Sequence, residues 1–438
     1  MISNLLPENS LKWRSPAGMV SPAIGRSHPT GKKPTFFLGR PFLRLITIGC
    51  CFLGATTLSA AAAATGMWDL PELQKAPPVE WGRQEGLVQE IYYPGEPHNG
   101  KPTRVFAYLA RPSSIAGQKP DRRFPAVVLV HGGGGQAFRA WAELWAKRGY
   151  VAVAMDLSGN GPGKVRLSDG GPALSTPAVF TVADTDEKMR DGWTYHAVAD
   201  VIRAHSVLAA LPEVDANRIG ITGISWGGYI TCIVAGLDPG LKVAVPVYGC
   251  GYLYDDSYWK MDFVDTMTDA QRARWIRLCD PSSYLGGVQC PILFINGSSD
   301  PRFYLDSHRR SFDLVRPELR NLSIQVGLKH GHIWTIGEVD RFIDAVLKDG
   351  PPPPRLGPIE FKDGIARAHL IGQGTKAEFI YARATGPWAE RKWTAVPAEL
   401  RNDFASVKVP EERPVIGYFM VTDAAGFRVT AAYMDFKQ

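Results

Sequence analysis

The stretch Arg218-Ile219-Gly220-Ile221-Thr222-Gly223-Ile224-Ser225-Trp226-Gly227-Gly228 constrains this chain more than any other. It opens as a β-branched run, breaks at Gly223, and resumes as an apolar helix from about Tyr229 to Leu237. Gly-x-Ser-x-Gly at such a junction is the pattern of a sharp strand-to-helix turn that lifts a serine hydroxyl above a sheet. The glycines have a steric reason. Side chains two residues either side of the serine would strike the neighbouring strand and helix. The following helix points its N-terminus at the serine, where free N–H groups and the helix dipole favour developing negative charge.

The flanking sequence alternates strands with helices. Ala126 to Val130 is a continuous apolar run, as in a strand buried on both faces, and ends in His131-Gly132-Gly133-Gly134-Gly135. A helix follows over Phe138 to Lys147, with Trp141, Leu144 and Trp145 on one stripe, then a strand over Val151 to Met155. Tyr195 to Leu211 reads as a helix, Val243 to Tyr248 as a strand, and Pro291 to Ile295 as another. A helix over Tyr304 to Val315, a strand over Leu322 to Val326 and a helix over Gly337 to Leu347 complete the series. This order implies a mostly parallel, doubly wound sheet with helices on both faces. Residues 65–100 read as irregular, with an edge strand at Leu87 to Tyr93. Residues 157–192 and 251–285 read as insertions, the second rich in aromatics.

The Asp349-Gly350-Pro351-Pro352-Pro353-Pro354 stretch is a stiff linker and predicts a boundary. Beyond it the pattern turns to period two: Ala377, Phe379 and Tyr381, then Phe427, Val429, Ala431 and Tyr433. Asp423 to Gly426 suits a hairpin loop. The expected organisation is a targeting segment over 1–64, an α/β catalytic domain over 65–350, and a small immunoglobulin-like β-sandwich over 356–438.

Charge locates the targeting segment. The formal net charge is +6, and residues 1–64 supply all of it, with seven Lys and Arg against Glu8. The rest is formally neutral, which gives no electrostatic case for nucleic acid or an anionic membrane as partner. Arg40 and Arg44 precede an apolar run from Leu45 to Leu58, and the small residues Ala60 to Ala64 follow, the order of a cleaved secretory signal. A periplasmic or secreted protein without stable membrane insertion is expected. Four cysteines lie beyond that segment (Cys232, Cys250, Cys279 and Cys290); buried thiols are the expectation, and a disulfide stays open. Oligomeric state is not legible.

A serine needs a base and an orienting carboxylate to act as a nucleophile at neutral pH. Asp300 follows the Pro291–Ile295 strand and is the candidate acid; Asp306, inside a helix, is the rival. His330 and His332 follow the last strand and compete for the base. His332 is the first choice, because Gly331 lets the backbone bend directly before it, with His330 then in support. The backbone N–H groups of Trp226 and Gly133 are the candidate oxyanion hole. His131 and His205 read as structural. The His-x-His pair lacks a cysteine or acid at ligand spacing, so no metal is expected, and no cofactor.

Taken together, His131 to Gly135, Gly223 to Gly228, Asn296 to Asp300 and His330 to His332 resemble the α/β-hydrolase superfamily. Over about residues 100–350 the chain is most similar to its secreted bacterial branch of acetyl xylan esterase, dienelactone hydrolase-like and prolyl-oligopeptidase-like proteins. The resemblance implies a Ser225–His–Asp300 triad and often a β-sandwich tail. A dienelactone hydrolase proper would carry a cysteine at Ser225. Ile333-Trp334-Thr335 departs from the Gly/Pro-rich continuation of the branch. The first function to weigh is a serine esterase acting on a small-molecule or carbohydrate ester of acetyl or feruloyl type. A prolyl-oligopeptidase-like peptidase is the second, although a gating propeller has no room here. The third is a binding protein on a retired scaffold.

Overall fold

In the computed structural model the chain is described for residues 67–112, 123–401, 403–412 and 414–437. The expected targeting segment, residues 1–64, lies outside them. The central element is a nine-stranded sheet in the order β1-β2-β3-β5-β4-β6-β7-β8-β9. Its strands are β1 Glu80–Glu85, β2 Val88–Pro94, β3 Arg104–Ala110, β4 Phe124–Val130, β5 Val151–Met155, β6 Val214–Ile224, β7 Val243–Val247, β8 Ile292–Gly297 and β9 Arg320–Gln325. The strands from β5 to β9 run parallel, and β1, β2 and β3 form an antiparallel wing joined to β5.

Every residue of β5, β7 and β8 is buried, and so are Pro125 to Val130 of β4. Burial at both parities of a strand means that both faces are covered, which is why these strands read as unbroken apolar runs. Each such Val, Leu or Ile contributes about 1.5–3 kcal/mol relative to exposure. The covering helices are α1 Arg139–Lys147, α2 Trp193–Ala210, α3 Trp226–Leu237, α5 Leu305–Leu314 and α6 Gly337–Leu347, while α4 Asp269–Cys279 packs on the turn at Pro281–Ser283 instead.

The sheet order fixes where a crevice forms. From β4 the chain moves to one side into β5, then crosses to the other side into β6. Strand order therefore reverses between β4 and β6. In open α/β sheets the crevice for a ligand lies beyond the carboxyl ends of the strands at such a reversal. The glycine loop after β4 and the serine after β6 flank it.

Two expectations change. Over residues 67–100 the expected strand is present as β2, and the stretch before it is more regular than expected: it holds a helical turn at Leu70–Leu73 and β1, which pairs with β2 as a hairpin. Strand β1 escapes notice because its residues are exposed or half-exposed, leaving no apolar alternation. The second insertion carries α4, opened by a capping box in which Thr268 and Gln271 bond each other's backbone N–H groups.

After residue 354 come two antiparallel sheets. One has β10 Arg355–Lys362, β11 Ile365–Ile371, β14 Glu399–Arg401 and β15 Phe404–Lys408. The other has β12 Lys376–Arg383, β13 Thr394–Pro397, β16 Val415–Thr422, β17 Arg428–Thr430 and β18 Met434–Phe436. Phe379, Val421, Val429 and Ala431 are buried among them, and the turn at Asp423–Gly426 closes through a Gly426 N–H bond to the Asp423 carbonyl. This C-terminal pair of sheets docks on the α/β sheet: the Ile324 N–H of β9 donates to Thr430 Oγ1 at 3.1 Å, and Arg428 pairs with the buried Glu338 of α6.

Candidate active site

Ser225 sits between β6 and α3 with φ 60 and ψ −119, a backbone conformation an L-residue rarely adopts. The turn holds because its surroundings leave nothing else. The Ser225 N–H donates to the Val247 carbonyl at 2.9 Å, and the Ser225 carbonyl accepts from Tyr229 N–H at 3.0 Å. Gly227 is obligatory: a Cβ there would lie 2.0 Å from the Val130 carbonyl oxygen. Helix α3 begins at Trp226, directly after the serine, rather than at Tyr229. Its first N–H groups thereby face the serine.

The structure brings Ser225, His330 and Asp300 together. His330 Nε2 lies 2.9 Å from Ser225 Oγ, and His330 Nδ1 lies 2.7 Å from Asp300 Oδ2. The geometry assigns the tautomer: Nδ1–H donates to the carboxylate and Nε2 accepts the serine proton. Asp300 is buried, and its Oδ1 accepts the N–H groups of Arg302 and Phe303, each at 2.8 Å. The rival Asp306 accepts from Trp388 Nε1 at 3.0 Å instead and does not meet a histidine.

His332, the first choice for the base, does not meet the serine. Its Nε2 accepts the Gly132 N–H at 3.1 Å, beneath the glycine loop. Burial foremost, then the nearby His131 and His330, pushes His332 down to about 4, so its ring is neutral and free to accept. The chain does bend at His330 and Gly331, but Gly331 has no positive φ and open space where a side chain would go, so the bend does not require glycine and does not bring His332 to the serine. The chain turns earlier, at Gly327 with φ 78, and this presents His330. Tyr248 fixes the result: its hydroxyl donates to the Lys329 carbonyl at 2.9 Å and its ring lies 4.5 Å from the His330 ring. Nothing in the sequence separates Tyr248 from an ordinary strand-end aromatic.

The glycine loop is shaped by its neighbours. A Cβ on Gly132 would lie 2.5 Å from the Ile224 carbonyl, and Gly134 has φ 69. His131, buried, donates from Nδ1 to the Gly132 carbonyl at 2.8 Å and accepts the Leu157 N–H at Nε2. His205 pairs with Asp238 away from the site. With the Gly132 N–H taken by His332, Gly133 is the loop residue that lines the cleft beside Ser225 and Trp226.

That cleft has a volume of about 460 Å³. Thr176 of the first insertion, Tyr258, Trp259, Asp262 and Phe263 of the second, and Arg302 complete its walls. Most of the insertion aromatics pack on one another. Trp226 and Trp259 approach to 4.3 Å, and Phe180 stacks on Phe263 and Trp275 at 5.2 and 5.0 Å. Tyr258 is the exposed one, 47% accessible, with the Arg302 guanidinium 3.8 Å over its ring. Trp334, in the divergent Ile333-Trp334-Thr335 stretch, turns away from the cleft onto Phe138 and Trp141. The four cysteines are buried and unbonded. Among the described residues, no cluster of His, Cys, Asp or Glu suits a metal, and no helix is long and apolar enough to cross a membrane.

Comparison with known proteins agrees with the topology. Residues 77–281 match the acetyl xylan esterase (AXE1) family model. The acetyl xylan esterase from Paenibacillus sp. R4 superposes with TM-score 0.51 at 18% identity, covering 65% of this chain and 94% of that one. Among curated relatives, the chain is 26% identical over 243 residues to the uncharacterized peptidase YuxL of Bacillus subtilis, covering 52% of this chain and 32% of that protein. It is 22% identical over 208 residues to acetyl esterase Axe7A of Xylanibacter ruminicola, covering 45% of this chain and 46% of that protein. The chain thus spans less than half the length of either relative.

Proposed function

We propose that this chain, whose fold is that of the α/β-hydrolases, is a serine carboxylic-ester hydrolase working through an acyl-enzyme. The observation that carries this is the continuous relay from Ser225 Oγ through His330 to Asp300, at 2.9 and 2.7 Å. As Ser225 Oγ attacks the ester carbonyl, His330 Nε2 takes its proton and Asp300 steadies the imidazolium at Nδ1. The carbonyl oxygen becomes an oxyanion held by the Trp226 and Gly133 N–H groups. His330 then hands its proton to the departing alcohol. Water repeats the sequence on the acyl-enzyme and regenerates Ser225.

The acyl group is small in this reading, acetyl foremost, because the paired Trp226 and Trp259 rings fill space in the cleft that Ser225 lines. The family match over 77–281 and the acetyl esterase among the relatives support the same class. A carbohydrate alcohol suits the exposed Tyr258 at the mouth, and feruloyl-type esters form the bulkier end of the same proposal. A secreted or periplasmic location rests on the Arg40 to Ala64 pattern. The test is a panel of acetylated sugars, nitrophenyl esters and prolyl-arylamides on the purified protein. Acetyl esters are expected to be the best substrates, and Ser225→Ala to lose about three or more orders of magnitude in rate. A faster prolyl-arylamidase, or a fluorophosphonate that fails to label Ser225, overturns the proposal.

A further inference from the structure

The loop that carries Asp300 is held from outside the α/β sheet. Ser299, the residue before it, donates from Oγ to the Arg391 carbonyl at 3.2 Å and accepts the Trp393 Nε1–H at 3.1 Å. Arg391 and Trp393 both belong to the C-terminal sandwich, just before β13. Trp393 is itself fixed, its ring 5.4 Å from that of the buried Tyr418 on β16. A few residues on, Asp306 in the first turn of α5 accepts from Trp388 Nε1 at 3.0 Å and from the Tyr433 hydroxyl. Trp388 and Tyr433 are both buried, with rings 5.3 Å apart. The acid loop is thus clamped on both sides of Asp300 by tryptophan N–H groups from one module.

The loop carrying His330 is bracketed by the same module. Thr430 bonds Ile324 at the end of β9, and Arg428 reaches both Gln325 Oε1 at 2.8 Å and Glu338 at the start of α6. By contrast, the partners that hold the Ser225 turn come from the α/β part, from β7 (Val247), α3 (Tyr229) and the β4 backbone (Val130). The bonds that hold the nucleophile's turn stay within the α/β part, whereas the loop of the orienting carboxylate is also bonded to the sandwich. Within its own loop Asp300 Oδ1 accepts the Arg302 and Phe303 N–H groups at 2.8 Å, and Asn296 ties the Phe303 carbonyl at 2.9 Å; the sandwich adds a second restraint on the same loop from the Ser299 side.

We infer that the C-terminal sandwich positions the catalytic acid, with Trp393 as the positioning residue acting through Ser299 on Asp300. The inference rests on the Ser225–His330–Asp300 reading above. Trp393 touches neither substrate nor the reacting atoms. It selects one orientation of the Asp300 carboxylate, the one in which Oδ2 meets His330 Nδ1.

Trp393→Phe tests this, because it keeps a ring against Tyr418 and removes the N–H. In a folded variant, kcat on a short-chain ester should fall between about three- and thirty-fold with KM unchanged, as for a small misplacement of a catalytic group. The low-field proton resonance of the His330–Asp300 hydrogen bond should broaden and shift, a readout that needs no turnover. Ser299→Ala removes the other side of the contact and should act alike, and the double variant should be no slower than the slower single one. Unchanged kcat and an unchanged low-field resonance in either folded single variant overturn the inference. A lower melting temperature with both readouts intact overturns it too, since it marks a structural contact only. A wild-type protein inert on every ester sinks the functional reading instead, and the low-field resonance still decides the positioning.

Discussion

Ser225 holds a left-handed backbone at φ 60, a conformation that costs about 1–3 kcal/mol and persists only when neighbours over-determine it. The hydrogen bonds to Val247 and Tyr229 do so here. What that strain secures is a hydroxyl aimed at His330 rather than at His332. The two histidines are of one type, two residues apart, and their environments divide the labour. His330 spans Ser225 and Asp300, while His332 is buried, pushed down to about 4, and accepts from Gly132. Replacing each by glutamine separates the roles. His330→Gln should lower kcat/KM by about three or more orders of magnitude, since it removes the base. His332→Gln should cost about ten-fold or less, because a side-chain amide oxygen can still accept the Gly132 N–H. Equal losses in the two variants would contradict the assignment of His330 as base.

At the scale of elements, the elbow depends on glycines whose missing side chains admit backbone from the next strand. Gly227 is the extreme case, with the Val130 carbonyl oxygen 2.0 Å from where a Cβ would stand. Gly227→Ala must push α3 away from β4, and a loss above about 4 kcal/mol is expected for such forced overlap. The urea midpoint of the purified variant, or failure to recover folded protein, reads this out; a wild-type midpoint contradicts it. These close contacts are why the elbow was legible at all: Gly-x-Ser-x-Gly and the apolar run over Ala126 to Val130 are local steric demands, and both appear where the sequence puts them. Legibility ended where position depends on distant partners. Strand β1 is paired to β2 yet mostly exposed, so nothing in its residues announces it. Helix α4 does carry a local sign, the Thr268/Gln271 capping box, set within an aromatic-rich stretch that lacks a sustained helical apolar stripe. The choice between His330 and His332 depends on the path of the whole loop, which turns at Gly327, bends at His330–Gly331 and is held at Lys329 by Tyr248, a partner some eighty positions away. The Ser299 clamp joins residues about a hundred positions apart and left no local trace.

For the whole molecule, the buried histidines set how stability responds to acid. Burial pushes His196, His308 and His332 each down to about 4 from an ordinary 6.5. As pH falls through 6.5 the unfolded chain takes up protons at these three sites and the folded protein does not. The unfolded state then binds more protons, so stability falls between pH 6.5 and about 4 and levels off below. Asp256 and Asp340 act oppositely. Burial raises both to about 6, so the folded protein takes their protons first and gains stability as pH drops from about 6 towards the ordinary 3.8. The balance of opposed groups makes the total slope a poor test, and a single deletion a good one. His308 is the cleanest choice: it is 1% exposed, lies against the Phe294 ring, and takes no part in the candidate site. His308→Gln should lower stability at neutral pH, yet its stability should fall less steeply than wild type between pH 6.5 and 4. One proton fewer is at stake, a slope difference of up to about 1.4 kcal/mol per pH unit. Urea midpoints at several pH values across that window measure it, and parallel curves for the two proteins would show that His308 is not held neutral by burial.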